Sequence, residues 1–253
     1  MTLQELKERA LFVRRDIIAL LARSQTGHSG GPLSSADFGT VLFFHEMNVN
    51  PGRLDDQGHP SKHDTPGIEV SSGSLGQGLS VSCGMALGSR MDRVDRRIYC
   101  IMGDGEQQEG QIWEAAMFAA HYKLDNLCAI IDYNRKQIDG DVQDVMGIAP
   151  LADKWRGFNW HVIEADGHDL AALVQAFEQA RATKGKPSVI LAHTVMGKGV
   201  SFMEDDYKWH GVPPSREQAD QALREMGTTL DEWTTRLERF TGPEVAPGPR
   251  PAA

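Results

Sequence analysis

Apolar positions recur in two different periods along this chain, and their alternation predicts its architecture. Leu3, Leu6, Ala10, Val13, Ile17 and Leu20 fall on one helical face, which predicts a single long helix ending near Ser24. The run Thr26-Gly27-His28-Ser29-Gly30-Gly31-Pro32 breaks the period as a glycine-rich loop, and Ser34 or Ser35 is placed to cap a helix running through His45. No period survives over 47–72, where Gly, Pro, His and Asp dominate; this predicts a long loop of the kind that usually serves function in a compact domain. The following SLGQGLSVSCGMALGSR carries Gly76, Ser80, Cys83, Gly84 and Gly88, small residues suited to a helix packed closely on another backbone.

From there short apolar runs alternate with helical spacing. Strands are predicted over 98–102, 127–131, 161–165 and 188–193, with helices over 112–122 and 170–182 between them. The β-α-β order predicts an α/β fold, a doubly wound and mostly parallel sheet with helices on both faces. A second long loop is predicted over 194–214, then two short helices over 216–226 and 230–240. Residues 1–240 are thus assigned to one domain, and the Pro/Ala-rich residues 241–253 to a flexible tail.

Composition narrows the classes. At 253 residues and 40% hydrophobic content, the chain can bury one sizeable core. A formal charge of −9 argues against nucleic acid or an anionic membrane as partner. The longest apolar runs are far short of a membrane span, and the N-terminal stretch lacks an apolar signal core. Cys83, Cys100 and Cys128 are odd in number, widely spaced and apolar in context. They fit buried thiols better than a disulfide framework or a CxxC metal site, and so predict a cytoplasmic location.

The most specific chemistry lies in Gly103-Asp104-Gly105 and in Asn134 of the run Asp132-Tyr133-Asn134. Each follows a predicted parallel strand, and ligands of such sheets gather beyond the carboxyl ends of the strands. A carboxylate, an amide oxygen and a backbone carbonyl suit Mg2+, which shares its oxygen ligands with phosphates. Gly103 and Gly105 allow close approach, and the helix that follows can offer amides to a diphosphate. The plainer alternative makes Asp104 a helix cap and Asn134 a turn residue. Histidines form a second group: His28, His59 and His210 each lie in a glycine-containing loop, where solvated packing and proton transfer near neutral pH are both open. His63 is four residues from His59, but Pro60 between them argues against a helical zinc pair. Glu109 and Glu114 read either as helix acids favoured by the dipole or as functional carboxylates.

The segment GDGEQQEGQIWEAAMFAAHYKLDNLCAIIDYNRKQIDG closely resembles the diphosphate-binding region of the transketolases, which use thiamine diphosphate. TGHSGGPLSSAD, GHPSKHDTPGIEVSSGSLGQGLSVSCGMAL and HTVMGKGVSFMED with the later WHG extend the likeness over most of residues 10–212. The resemblance implies thiamine diphosphate and Mg2+ (or Ca2+ or Mn2+ in its place) as cofactors. It implies Asp104, Asn134 and the carbonyl of Lys136 as metal ligands, with Gly103, Gly105 and Glu106 near the diphosphate. Gly73 and Leu75 would contact the cofactor rings, and His59 would do so as well. His28, His59 and His210 would line the substrate channel, and Glu109, with Glu114 behind it, would join an acid network between two active sites.

The implied reaction is transfer of a two-carbon ketol unit from a ketose phosphate to an aldose phosphate. Related alternatives are a deoxyxylulose-phosphate synthase-like or dehydrogenase-like thiamine-diphosphate subunit, or a non-catalytic partner-binding chain. Transketolases carry a pyrimidine-binding domain, with the glutamate that contacts the cofactor's aminopyrimidine, after the domain seen here. The expectation is therefore the N-terminal subunit of a split transketolase, working in an α2β2 assembly with a C-terminal subunit. One departure stands out. Pro51 is followed almost at once by Gly58-His59, so a family segment bearing a cofactor-contacting Lys-Gly-His-type motif has no counterpart, which bears on the substrate channel.

Overall fold

The computed structural model describes residues 1–47, 68–70 and 72–240. Its strands are β1 (Ile98–Gly103), β2 (Leu127–Tyr133), a short pair β3 (Lys136–Gln137) and β4 (Gly140–Asp141), then β5 (His161–Asp166) and β6 (Ser188–His193). The four longer strands form one parallel sheet in the order β1-β2-β6-β5, while β3 and β4 make a separate antiparallel hairpin. The principal helices are α1 (Leu3–Ser24), α2 (Gly30–Val41), α3 (Gly78–Met91), α4 (Gly110–His121), α5 (Val142–Met146), α6 (Leu151–Gly157), α7 (Leu170–Ala182), α8 (Arg216–Glu225) and α9 (Leu230–Phe240).

Strand order and crossover hand decide where the helices go. The chain moves one way along the sheet from β1 to β2 to β5, then turns back to insert β6. Right-handed crossovers therefore put α4 and α6 on one face and α7 on the other. Side-chain packing agrees. Leu127, Ala129 and Ile131 point into a core with Leu79, Ile112, Ala116 and Trp155, whereas Cys128 and Ile130 point into a core with Phe38, Leu173 and Phe177. Both faces of β2 are buried, so its sequence reads as a continuous apolar run. A third core joins α1 to α8 and α9 through Ile18, Leu223 and Trp233.

The predicted strands and long helices are present, each strand running one or two residues beyond its predicted end except β6, whose bounds match. Three local expectations are corrected. The second helix begins at Gly30, with neither Ser34 nor Ser35 at its cap, and continues from Leu42 to Glu46 as a π-helical turn. Pro32 is tolerated there because first-turn N–H groups have no intrahelical acceptor. Residues 74–77 form a turn rather than the start of α3. The β3–β4 hairpin, α5 and α6 lie in a stretch that carried no predicted element. They are too short to show a period, yet α6 delivers Leu151 and Trp155 to the core. The three cysteines are free and buried, and burial pushes each thiol up to about 12. Most of the loop over 47–72 lies outside the described residues, as do His59, His63, the shortened 51–59 segment and the tail over 241–253.

Candidate cofactor site

Parallel pairing sets Gly103 of β1 opposite Asp132 of β2, so Asp104 and Asn134 leave the sheet side by side at its carboxyl edge. Asp104 is 1% exposed. Its Oδ1 accepts the N–H of Gly105 at 2.7 Å, and its Oδ2 accepts the N–H of Arg135, the residue next to Asn134. Asn134 Oδ1 accepts the N–H of Lys136 at 2.9 Å, while its Nδ2 donates to Asp132 Oδ2 at 3.0 Å. The Lys136 ammonium turns away to Asp141 at 2.6 Å and Asp205 at 3.1 Å, tying the hairpin to the loop after β6.

Burial pushes the Asp104 carboxyl up to about 7, and the nearby charge of Asp132 adds to the rise despite the backbone N–H donors. Among the described residues, no lysine or arginine forms an ion pair with Asp104, and no group of three His, Cys, Asp or Glu side chains is placed to hold a metal. A buried carboxylate with only dipoles for partners fits a cation. The oxygens at hand are hard and mixed, one carboxylate and one amide beside backbone carbonyls, a donor set that suits Mg2+ carrying phosphate oxygens rather than zinc.

Sequence reasoning does not single out Asp132 as a site residue, yet in the structure it is the hub beneath Asn134. It accepts hydrogen bonds from the hydroxyls of Ser34 in α2 and Thr194 after β6, as well as from Asn134. Ser34, expected as a cap, therefore serves the strand end instead. A signal for this exists in the sequence: an acid ending a fully buried strand has to find donors. Nearby, Arg14 meets Asp37 through two bonds of 2.8 and 2.7 Å, and His168 Nδ1 meets the same carboxylate at 2.8 Å. Burial acts to raise the Asp37 pKa, but the hydrogen bonds and charges of Arg14 and His168 bring it below the usual carboxylate range. The N–H of Val195 donates to His168 Nε2 at 2.8 Å, so Nδ1 is the ring nitrogen that donates to Asp37. These clamps hold the beginning of the loop that later carries His210.

The turn over 72–77 lies against the start of α4. Gly76 has φ +85°, and a Cβ there would sit 3.0 Å from Cβ of Glu109. Its N–H donates to Glu106 Oε1 at 2.8 Å, while Glu106 Oε2 accepts the N–H of Gly103 at 2.9 Å. Gly73 and Leu75 in this turn are exposed, as are Glu109 and Glu114 of the isolated chain.

A known family description, "Transketolase, thiamine diphosphate binding domain", matches residues 53–236. This chain belongs to that family. It is 36% identical to one of the subunits of an apulose-4-phosphate transketolase from Phocaeicola vulgatus, covering 87% of this chain and 92% of the relative. It is 38% identical to a 6-deoxy-6-sulfo-D-fructose transketolase subunit of a Clostridium species, covering 88% of this chain and 96% of the relative. Among solved structures, transketolase from Campylobacter jejuni superposes with a TM-score of 0.81 at 26% identity, over 95% of this chain and 46% of that one. The chain thus spans about half the length of the solved transketolase it matches.

Within this transketolase domain, two of the loop histidines, His28 and His210, come together. His28 precedes α2, His210 follows the short 3-10 turn Tyr207–Trp209, and their ring centroids are 5.7 Å apart at 81°. Ser29 donates to the carbonyl of Val212 at 2.7 Å, which pins their two loops. His210 Nδ1 is buried without a hydrogen-bond partner among the described residues, and burial followed by the nearness of His28 lowers its pKa. Ser34, one turn into the helix that begins after His28, reaches Asp132 at the sheet edge. The pair therefore belongs to the same edge as Asp104 and Asn134.

Proposed function

We propose that this chain is the thiamine-diphosphate- and Mg2+-binding subunit of a two-chain transketolase. With a separate C-terminal subunit it transfers a two-carbon ketol unit from a ketose phosphate to an aldose phosphate in the cytoplasm. The observation that carries this reading is the buried Asp104 carboxylate, free of any side-chain cation among the described residues, beside Asn134 at the ends of adjacent parallel strands. The names of two relatives as transketolase subunits, and the good coverage of both, support the two-chain form.

Asp104, Asn134 and the Lys136 carbonyl hold the metal, and the amides of the turn Gly105–Gln108 approach the diphosphate. Bound thiamine diphosphate supplies the nucleophilic carbon that ketol transfer requires. His28 and His210 hydrogen-bond the sugar hydroxyls and move protons between them. The lowered pKa keeps His210 neutral near pH 7, so one ring nitrogen can accept a hydroxyl proton. His59 completes this group, Gly73 and Leu75 contact the cofactor rings, and Glu109 faces a neighbouring subunit in an α2β2 assembly. The partner contributes the carboxylate that contacts the aminopyrimidine.

The test is titration of thiamine diphosphate into the chain mixed with its C-terminal partner, with Mg2+ or with EDTA. Affinity should depend on Mg2+ in the native complex, and Asp104→Ala should remove that dependence. An unchanged Mg2+-dependent affinity in the variant would sink the metal assignment.

A further inference from the structure

Glu106 is a buried carboxylate beside Asp104 for which the metal site has no use. It follows Asp104 by two residues and is 8% exposed, and both of its oxygens are engaged by backbone. Oε1 takes the N–H of Gly76 at 2.8 Å and Oε2 takes the N–H of Gly103 at 2.9 Å. One side chain thus spans the last residue of β1, immediately before Asp104, and the turn over 72–77. A carboxylate aimed at a diphosphate would repel it, whereas this one directs its charge back into two glycine amides. No other side chain in the described residues bonds the Gly76 amide.

The two anchored segments differ in their other supports. Gly103 is held by its place in the sheet opposite Asp132. The turn has no strand pairing. Beyond Glu106 it leans on the Glu109 side chain beside Gly76, and on Gln77, whose Nε2 donates to Gln111 Oε1 at 2.8 Å. Within this turn Leu75 is 63% exposed, an apolar side chain held out beside Gly76, whose amide shares the Glu106 carboxylate with the strand residue that precedes Asp104. Such a residue serves a ligand only if its distance from the metal end is fixed.

We propose that Glu106 is a positioning residue, its carboxylate locking the 72–77 turn to the end of β1 so that Leu75 and Asp104 receive the two ends of one cofactor in a single frame. This rests on the thiamine-diphosphate reading above, and extends it by giving Glu106 a role through other residues. Loss of the lock frees the turn and leaves the strand end in place. Ring recognition therefore suffers while diphosphate recognition does not.

The variants are Glu106→Gln, which keeps the shape but faces one N–H with an amide donor, and Glu106→Ala. Hydrogen exchange in the cofactor-free chain is read at the Gly76 amide. Exchange should accelerate about tenfold or more, the factor that corresponds to loss of one net hydrogen bond, with unchanged thermal midpoint for Glu106→Gln. In the complex with Mg2+ and the partner chain, thiamine diphosphate should bind about tenfold more weakly to Glu106→Gln. Inorganic pyrophosphate should bind within about twofold of the native complex, a change of under half a kcal/mol. Equal losses for both ligands would mean a merely structural role and overturn the proposal, as would native exchange at Gly76 or native thiamine diphosphate affinity. If the native complex binds pyrophosphate but not thiamine diphosphate, the underlying reading fails and the positioning role with it, even where the exchange result holds.

Discussion

Replacing Asp104 by Asn should favour the folded cofactor-free chain increasingly as the pH rises from about 4 to about 8. Burial carries this carboxyl from 3.8 to about 7, roughly three units, which at 1.36 kcal/mol per unit is about 4 kcal/mol. The sign follows from which state holds the proton more tightly. Below about pH 4 both folded and unfolded chains are protonated, and the raised pKa gives its full benefit relative to high pH. Between about pH 4 and 7 the unfolded chain ionises first, so folding stability is lost progressively; above about 7 the loss is complete. The amide in the Asp104→Asn variant cannot titrate, so subtracting the variant's urea-unfolding free energies from those of the native chain isolates this one group. The variant should gain about 4 kcal/mol on the native chain from pH 4 to pH 8 in EDTA, with any fixed cost of the amide cancelling in the slope. Thiamine diphosphate with Mg2+ and the partner should reverse the ranking at pH 8. A difference flat within about 1 kcal/mol across that range would refute the view of Asp104 as a buried charge awaiting a cation.

Three further outcomes follow from the packing. Trp155→Ala, which empties a fully buried site against Trp160, should cost about 3–5 kcal/mol in urea unfolding and leave Mg2+-dependent cofactor affinity nearly native in the fraction that folds. Asp37→Ala leaves the Arg14 guanidinium buried without its carboxylate, so a loss of about 3–5 kcal/mol is expected, together with faster proteolysis within the loop over 194–214 that His168 helps hold. Gly197 has φ +73° and a Cβ there would collide with the carbonyl of Met203, so Gly197→Ala should cost about 1–3 kcal/mol or more and raise the KM for the ketose donor by displacing His210. Native stability in any of these variants would contradict the corresponding contact.

The parts of the fold that were legible in the sequence were those with enough residues to show a period. The 22 residues of α1 and the all-buried strand β2 announced themselves, and β2 led directly to Asn134. The five-residue α5, the seven-residue α6 and the two-residue strands of the hairpin could not, because each is shorter than the window a period requires. At the site, glycines flanking an acid after a strand pointed to Asp104, since the chemistry of a ligand and the needs of the backbone coincide there. Asp132 and Glu106 were harder. Both are buried acids whose roles lie in which backbone amides and hydroxyls surround them, and those donors come from Ser34, Gly76 and Thr194, far away in the chain. The Ser34 hydroxyl shows the same limit from the other side. Local chemistry made it a helix cap, while a buried acid nearly a hundred residues away made it a donor.

As proposed, this chain is one half of a ketol-transferring enzyme built around Asp104 and Asn134. The most direct measurement is two-carbon transfer from a ketose phosphate to an aldose phosphate, followed by product analysis, in mixtures of this chain, its C-terminal partner, thiamine diphosphate and Mg2+. Transfer by the full mixture, none by either chain alone, and none when this chain carries Asp104→Ala is the predicted result. Transfer by this chain without the partner, or by the Asp104→Ala mixture at the native rate, would contradict it.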